Sequence, residues 1–98
     1  MPTTVRDNTS LKRYELEVDG ATAFVTYVRS AGVATFLHME VPHELSGRGI
    51  GSALAQESLE LARAQGYKVI PECPFITAYI RKHPEFLDLV VASPSDRL

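Results

Sequence analysis

At Gly49 the hydrophobic period of this chain changes from two residues to about 3.6. Upstream, Tyr14, Leu16 and Val18 alternate within Arg13 to Val18, and Ala21 to Arg29 is rich in β-formers, with Phe24, Val25, Tyr27 and Val28. Downstream, Ile50, Leu54, Leu61 and Gln65 fall near one helical face. Ala53, Ala55, Leu59 and Ala62 widen it, while Glu57, Glu60 and Arg63 point outward. The switch restricts the fold: a sheet is built first, and a helix is then laid across it.

The turns set the topology. Asp19-Gly20 is a hairpin signal, Ser30-Ala31-Gly32 supplies the next turn, and Val33 to Val41 makes a third strand that Pro42 ends. Connections this short leave no room for a crossover, so the three strands form an antiparallel meander. After the helix, Gly66 is a C-terminal stop and Tyr67 to Ile70 reads as a short buried strand, which the helical crossover returns parallel to the third. Pro74 suits the first position of a second helix running through Phe75, Ile76, Tyr79 and Ile80 to about His83, with Cys73 at the cap and Pro84 forcing the break. Phe86, Leu87, Leu89 and Val90 form one more turn on the core, and Ser93 to Asp96 reads as a frayed end. The expected architecture is a single α+β domain over residues 1–98: a three-strand meander, a helix, a parallel fourth strand and one or more C-terminal helices. Its ordered core runs from about residue 11 to about residue 91.

Composition removes several classes of function. A net charge of −2 does not suit nucleic acid, no apolar run is long enough for a membrane span, and MPTTVRDNTS lacks the basic and apolar regions of a signal peptide. These features predict a cytoplasmic protein. One cysteine excludes an internal disulfide and a multi-cysteine zinc site, and no close pair of ligands supports another metal. An exposed strand edge is compatible with a monomer or a weak homodimer.

The stretch ELSGRGIGSALAQE, Glu44 to Glu57, places three glycines around Arg48 at the start of the first helix. Amides at a helix start lack internal partners, so Gly47 to Ser52 has the makings of an anion site: bare backbone at Gly47, Gly49 and Gly51, charge from Arg48 and a hydroxyl from Ser52. A glycine turn that only lets helix and strand pack closely fits the same residues. The loop is not a Walker loop, because no lysine stands before Ser52. Nor is it a dinucleotide fingerprint, since it follows an antiparallel meander rather than the first strand of a parallel unit.

Three stretches together, V-P-x-x-x-x-G-R-G-I-G-S-A-L, K-V-I-P-E-C-P-F and Y-I-R-K-H-P-E-F, resemble the small single-domain, YjdJ-like branch of the GCN5-related N-acetyltransferases. The resemblance runs from about Tyr14 to Val90. It implies that Ser46, Gly47, Arg48, Gly49, Ile50 and Gly51 form the loop that binds the diphosphate of acetyl-coenzyme A, with Ser46 in place of the usual Gln or Arg. It also implies that the strand before the loop parts from the strand after the helix, and that the pantetheine arm lies between them. Met39, Glu40 and Val41 would line one side, with Val41 the backbone partner, and Val69 to Glu72 the other.

Acetyl transfer to an amine needs a base for the amine proton and an acid for the departing thiolate. His38 and Glu40 alternate on the third strand and face the same side, so either is a candidate base; equally, both fit a solvated polar face. Cys73, at a helix start, is either a nucleophile or a packed structural thiol. Tyr79 resembles the tyrosine that acts as the acid in larger members of the family, but fits the core better. The expected activity is transfer of acetyl from acetyl-coenzyme A to an exposed amine, a protein lysine or a polyamine. The alternative is a non-catalytic acyl-coenzyme A-binding or interaction module.

Overall fold

The computed structural model of the chain describes residues 5–91. A five-stranded sheet in sequential order is formed by β1 (Val5–Asn8), β2 (Arg13–Val18), β3 (Ala21–Ser30), β4 (Val33–Glu40) and β5 (Lys68–Pro71). The first four strands are antiparallel and β4–β5 is parallel, with α1 (Ile50–Ala64) as the crossover. Two-residue turns join β2 to β3 and β3 to β4, with φ of 51° and 80° at Asp19 and Gly20, and 53° and 79° at Ala31 and Gly32. Positive φ at both positions matches the twist of the strands, which fixes the meander.

The sequence places the ordered core from about residue 11; the structure extends it to β1. That strand carries one buried apolar residue, Val5, and so has no alternation to read. Its antiparallel ladder with β2 and polar contacts with distant residues hold it. The Val5 amide donates to Glu57 at 3.2 Å, and the Asp7 carboxylate accepts from the Tyr27 hydroxyl, Arg29 at 2.7 Å and Gln65 at 2.9 Å.

The helix α1 buries Ile50, Leu54, Ala55, Leu59 and Ala62 against Leu16, Ala23, Val25 and Phe36 of the sheet. Its partner α2 (Pro74–Lys82) follows β5 and packs beside it, with the Tyr79 hydroxyl donating to Gln56 at 2.9 Å. A 3-10 turn, Pro84–Leu89, inserts Phe86 and Leu89 into the same core and is tied to α1 by the pair Arg63–Asp88 at 2.6 Å. The expected frayed end, Ser93 to Asp96, lies outside the described residues. Among the described residues no helix packs on the opposite face of the sheet, where Val28, Leu37, His38 and Glu40 are exposed. No helix of the described residues is long and apolar enough to cross a membrane.

One irregularity decides what β4 presents. Phe36 pairs with Tyr27 and His38 with Thr26, so Leu37 is an extra residue, a bulge that shifts every later side chain to the other face. Ala34 and Phe36 face α1; beyond the bulge Met39 and Val41 take that role, and His38 and Glu40 turn to the open face.

Candidate active site

Pairing of β4 with β5 covers Val33–Phe36 against Lys68–Pro71 and then stops, whereas β4 runs on to Glu40. The strands part there because the chain leaves β5 at Glu72, whose amide turns back to the Ile70 carbonyl at 3.1 Å. The Cys73 amide donates to the Phe36 carbonyl at 2.9 Å and closes the apex of a gap. One wall is Leu37 to Val41; the other is Glu72, Cys73 and the start of α2. The expectation that Val69 to Glu72 line the second wall is corrected: Val69, Ile70 and Pro71 are occupied by β4, paired with Ala34, Thr35 and Phe36.

The glycine loop connects β4 to α1. Gly47 has φ 78° and Gly49, the residue before the helix, φ 73°, values at which any side chain is strained. Open space surrounds both, since a Cβ built on either meets no atom within 4 Å. No side chain caps α1 and its first turn holds no carboxylate. The first intrahelical bond runs from the Ala53 amide to the Gly49 carbonyl at 3.1 Å, which leaves the Ile50, Gly51 and Ser52 amides ahead of it as unpaired donors. An anion fits a bent, uncapped helix start with clear space above its backbone.

The three glycines have two different causes. Gly51 is helical, and a Cβ on it would stand 2.9 Å from Cζ of Phe75. Its bare backbone therefore admits an aromatic ring from α2, as the packing reading requires, while Gly47 and Gly49 provide the bend. Ser46 bonds within the loop, its hydroxyl donating to the His43 carbonyl at 2.8 Å. Arg48 reaches outward to Asp19 of the β2–β3 turn at 2.8 Å, a contact no local pattern announces.

On the open face His38 Nε2 lies 3.5 Å from Glu40 Oε1, both side chains more than 60% exposed (66% and 62%). The structure brings these two together on the open face, whereas Cys73, at the N-cap of α2, is 2% exposed and belongs to the core. Its carbonyl accepts from the Thr77 amide at 3.0 Å and the Thr77 hydroxyl at 3.1 Å. Tyr79 is buried as the sequence predicts. Burial first, and then the carboxylates of Glu85 and Glu60, push its phenol above the ordinary value, so at neutral pH it remains a hydroxyl donor to Gln56. His83 terminates α2 with Nδ1 2.9 Å from the Tyr79 carbonyl and its ring stacked on the tyrosine at 3.9 Å. Among the described residues no group of three His, Cys, Asp or Glu side chains is placed to hold a metal ion.

Three features of the site are absent from the expectations drawn from the sequence: the Phe75–Gly51 contact, the Arg48–Asp19 contact and the bulge at Leu37. The bulge has a signal: the apolar alternation slips from even positions, Ala34 and Phe36, to odd ones, Met39 and Val41, across the doublet Phe36-Leu37.

A family model described as GCN5-related N-acetyl-transferase matches residues 13–89, from the start of β2 to the end of the last 3-10 turn. No curated protein matches the chain significantly. The match takes in the meander, the glycine loop, the parted strands and α2, and on that extent the chain belongs to the GCN5-related N-acetyltransferase family.

Proposed function

We propose that this protein transfers the acetyl group of acetyl-coenzyme A to an exposed amine, a lysine side chain or a polyamine, that approaches the open face of β4. The observation that carries the reading is the conjunction of an uncapped helix start, bent by Gly47 and Gly49 and clear above them, with a gap between β4 and β5 that opens beside it. Acetyl-coenzyme A, when bound, supplies an acyl group activated as a thioester. The loop from Ser46 to Ser52 would hold its diphosphate through backbone amides, with the Ser52 hydroxyl and Arg48 adding to them. Residues 37–41, past the paired part of β4, offer a strand edge to an extended arm, with Val41 at the loop end.

The proton belongs to the open face. Glu40 is the base for the attacking amine, and His38 at 3.5 Å orients the carboxylate and shares its proton. As the new C–N bond forms the C–S bond of the thioester breaks, releasing coenzyme A as a thiolate that takes its proton from solvent at the open gap. Cys73 is too deeply buried to present its sulfur to an amine from solvent, which favours a thiol that shapes the apex of the gap over one that carries an acyl group. The absence of any helix over the open face among the described residues supports an acceptor carried on a larger molecule or an extended chain.

Thiol release from acetyl-coenzyme A in the presence of lysine peptides or spermidine tests the reading. Glu40→Gln is expected to lower kcat about 100-fold or more while the acetyl-coenzyme A Kd stays within about 2-fold. Failure of every amine to outpace cofactor hydrolysis would contradict the proposed acceptor.

A further inference from the structure

Two rows of side chains cross the open face of the sheet. The register sets Glu40 of β4 beside Phe24, Phe24 beside Glu15, and Glu15 beside Arg6 of β1; the next row is His38, Thr26, Arg13 and Asn8. Glu15 is 4% exposed although no helix covers this face among the described residues. Its cover is polar: the carboxylate accepts from Arg13 Nε at 2.5 Å, from Asn8 at 3.0 Å and from Arg6 at 3.1 Å. One buried carboxylate thus holds two guanidinium groups in place, and one positive charge is left over. Arg13 also lies over the Phe24 ring, 4.2 Å from its centroid, which carries its guanidinium to the strand next to Glu40. With Nε given to Glu15, its two terminal nitrogens have no hydrogen-bond partner among the described residues.

The face is therefore negative at Glu40 and positive at Arg13 and Arg6. Exposed Glu72, on the far wall of the gap, adds to the first pole, and Lys12, next to Arg13 in the β1–β2 turn, to the second. Glu17 lies four residues along β2 from Arg13, about 13 Å away, and Lys68 is turned to the Asp88 carbonyl at 3.1 Å. We infer that the open face selects a peptide lysine with an acidic residue two positions away, the amine meeting Glu40 and the acidic side chain the Arg13 fork. Side chains two apart in an extended chain share a face and stand about 7 Å apart, against about 5 Å between β4 and the strand that the fork overlies. A carboxylate matches two parallel N–H donors, whereas the second cation of a polyamine would meet Arg13 instead. The inference rests on the acetyl-transfer reading and decides between the two acceptor classes that reading leaves open.

Initial rates of thiol release from acetyl-coenzyme A test this with N-terminally blocked peptides that carry glutamate, glutamine or arginine two residues to either side of a single lysine, and with spermidine. For the parent, kcat/KM is expected to be about 3- to 10-fold higher with the glutamate peptide than with the glutamine peptide, and lower still with the arginine peptide and spermidine. The difference should lie in KM rather than kcat and shrink at high salt. Arg13→Gln should reduce the preference to less than about 2-fold, Arg6→Gln, at a side chain 69% exposed, should narrow it, and Lys12→Gln should leave it intact. Thermal unfolding confirms that each variant is folded. Equal rates with the glutamate and glutamine peptides, spermidine outpacing the glutamate peptide, or a preference that survives both arginine substitutions overturns this inference alone. A parent that binds acetyl-coenzyme A and acetylates no amine overturns the acetyl-transfer reading and the inference with it.

Discussion

Gly51 lies directly under the ring of Phe75, and a methyl group in place of its hydrogen would come within 2.9 Å of Cζ. The same loop holds Gly49 at φ 73° with nothing near its missing side chain. Alanine should therefore act differently at the two positions. At Gly51 it collides only with the far end of a side chain that has room to turn, and gains up to about 1 kcal/mol of helix propensity, so stability should change by less than about 1 kcal/mol. At Gly49 it is forced into the left-handed region, at a cost of about 1–2 kcal/mol. Urea unfolding of the two variants checks the contrast.

The contact between Arg48 and Asp19, at 2.8 Å, holds a side chain of the proposed diphosphate loop against the β2–β3 turn. Both groups are exposed, so the pair adds at most about 1 kcal/mol to stability. Asp19→Asn keeps a residue that tolerates φ 51° and removes the competing charge. The variant is expected to unfold within about 0.5 kcal/mol of the parent and to bind coenzyme A about 2- to 3-fold more tightly at low salt, as calorimetry would measure. Unchanged affinity at both low and high salt would show that Arg48 takes no part in binding.

Acid sensitivity should trace to the first strand and its neighbours. Burial pushes Asp7 upward, but hydrogen bonds from Tyr27, Arg29 and Gln65 and the charge of Arg29 outweigh it and leave the carboxyl below its ordinary value. Burial likewise raises Glu15, and bonds from Arg13 and Asn8 with the charges of Arg13 and Arg6 bring it below the usual range. Each folded value is depressed, so each group contributes stability that is complete above the unfolded value and is lost as pH falls through the folded one. The parent should lose thermal stability below about pH 4, and Asp7→Asn or Glu15→Gln should begin less stable at neutral pH and show a shallower acid limb. Melting curves from pH 7 downward measure the difference.

Cys73→Ala separates the two roles the sequence leaves open for the thiol. The residue is buried in the core at the apex of the gap, so removing its sulfur should cost about 1–2 kcal/mol of stability. On the direct-transfer reading, turnover in the folded variant should remain within about 5-fold of the parent. A loss of about 1000-fold or more without loss of cofactor binding would restore the covalent role.

Local chemistry made much of this fold legible. The hairpins at Asp19-Gly20 and Ala31-Gly32, the helix opening after Gly49 and the Cys73-Pro74 start of α2 are all written in adjacent residues. Features that depend on distant partners were not. Asp7 secures β1 only through Tyr27, Arg29 and Gln65, far along the chain, so the short polar stretch Val5–Asn8 carries no strand pattern of its own. Likewise, Gly51 gives no sign that the ring above it belongs to α2. The bulge at Leu37 was present as a slip in alternation, and it is what carries His38 and Glu40 away from the helix-covered side.

The central claim is that the loop around Gly47 and Gly49 binds the diphosphate of acetyl-coenzyme A, and calorimetric titration of the parent beside Gly49→Val measures it most directly. The parent is expected to bind saturably with one-to-one stoichiometry, and binding is expected to be lost in a variant that still melts cooperatively. Failure of the parent to bind, or undiminished binding by the folded variant, would contradict it.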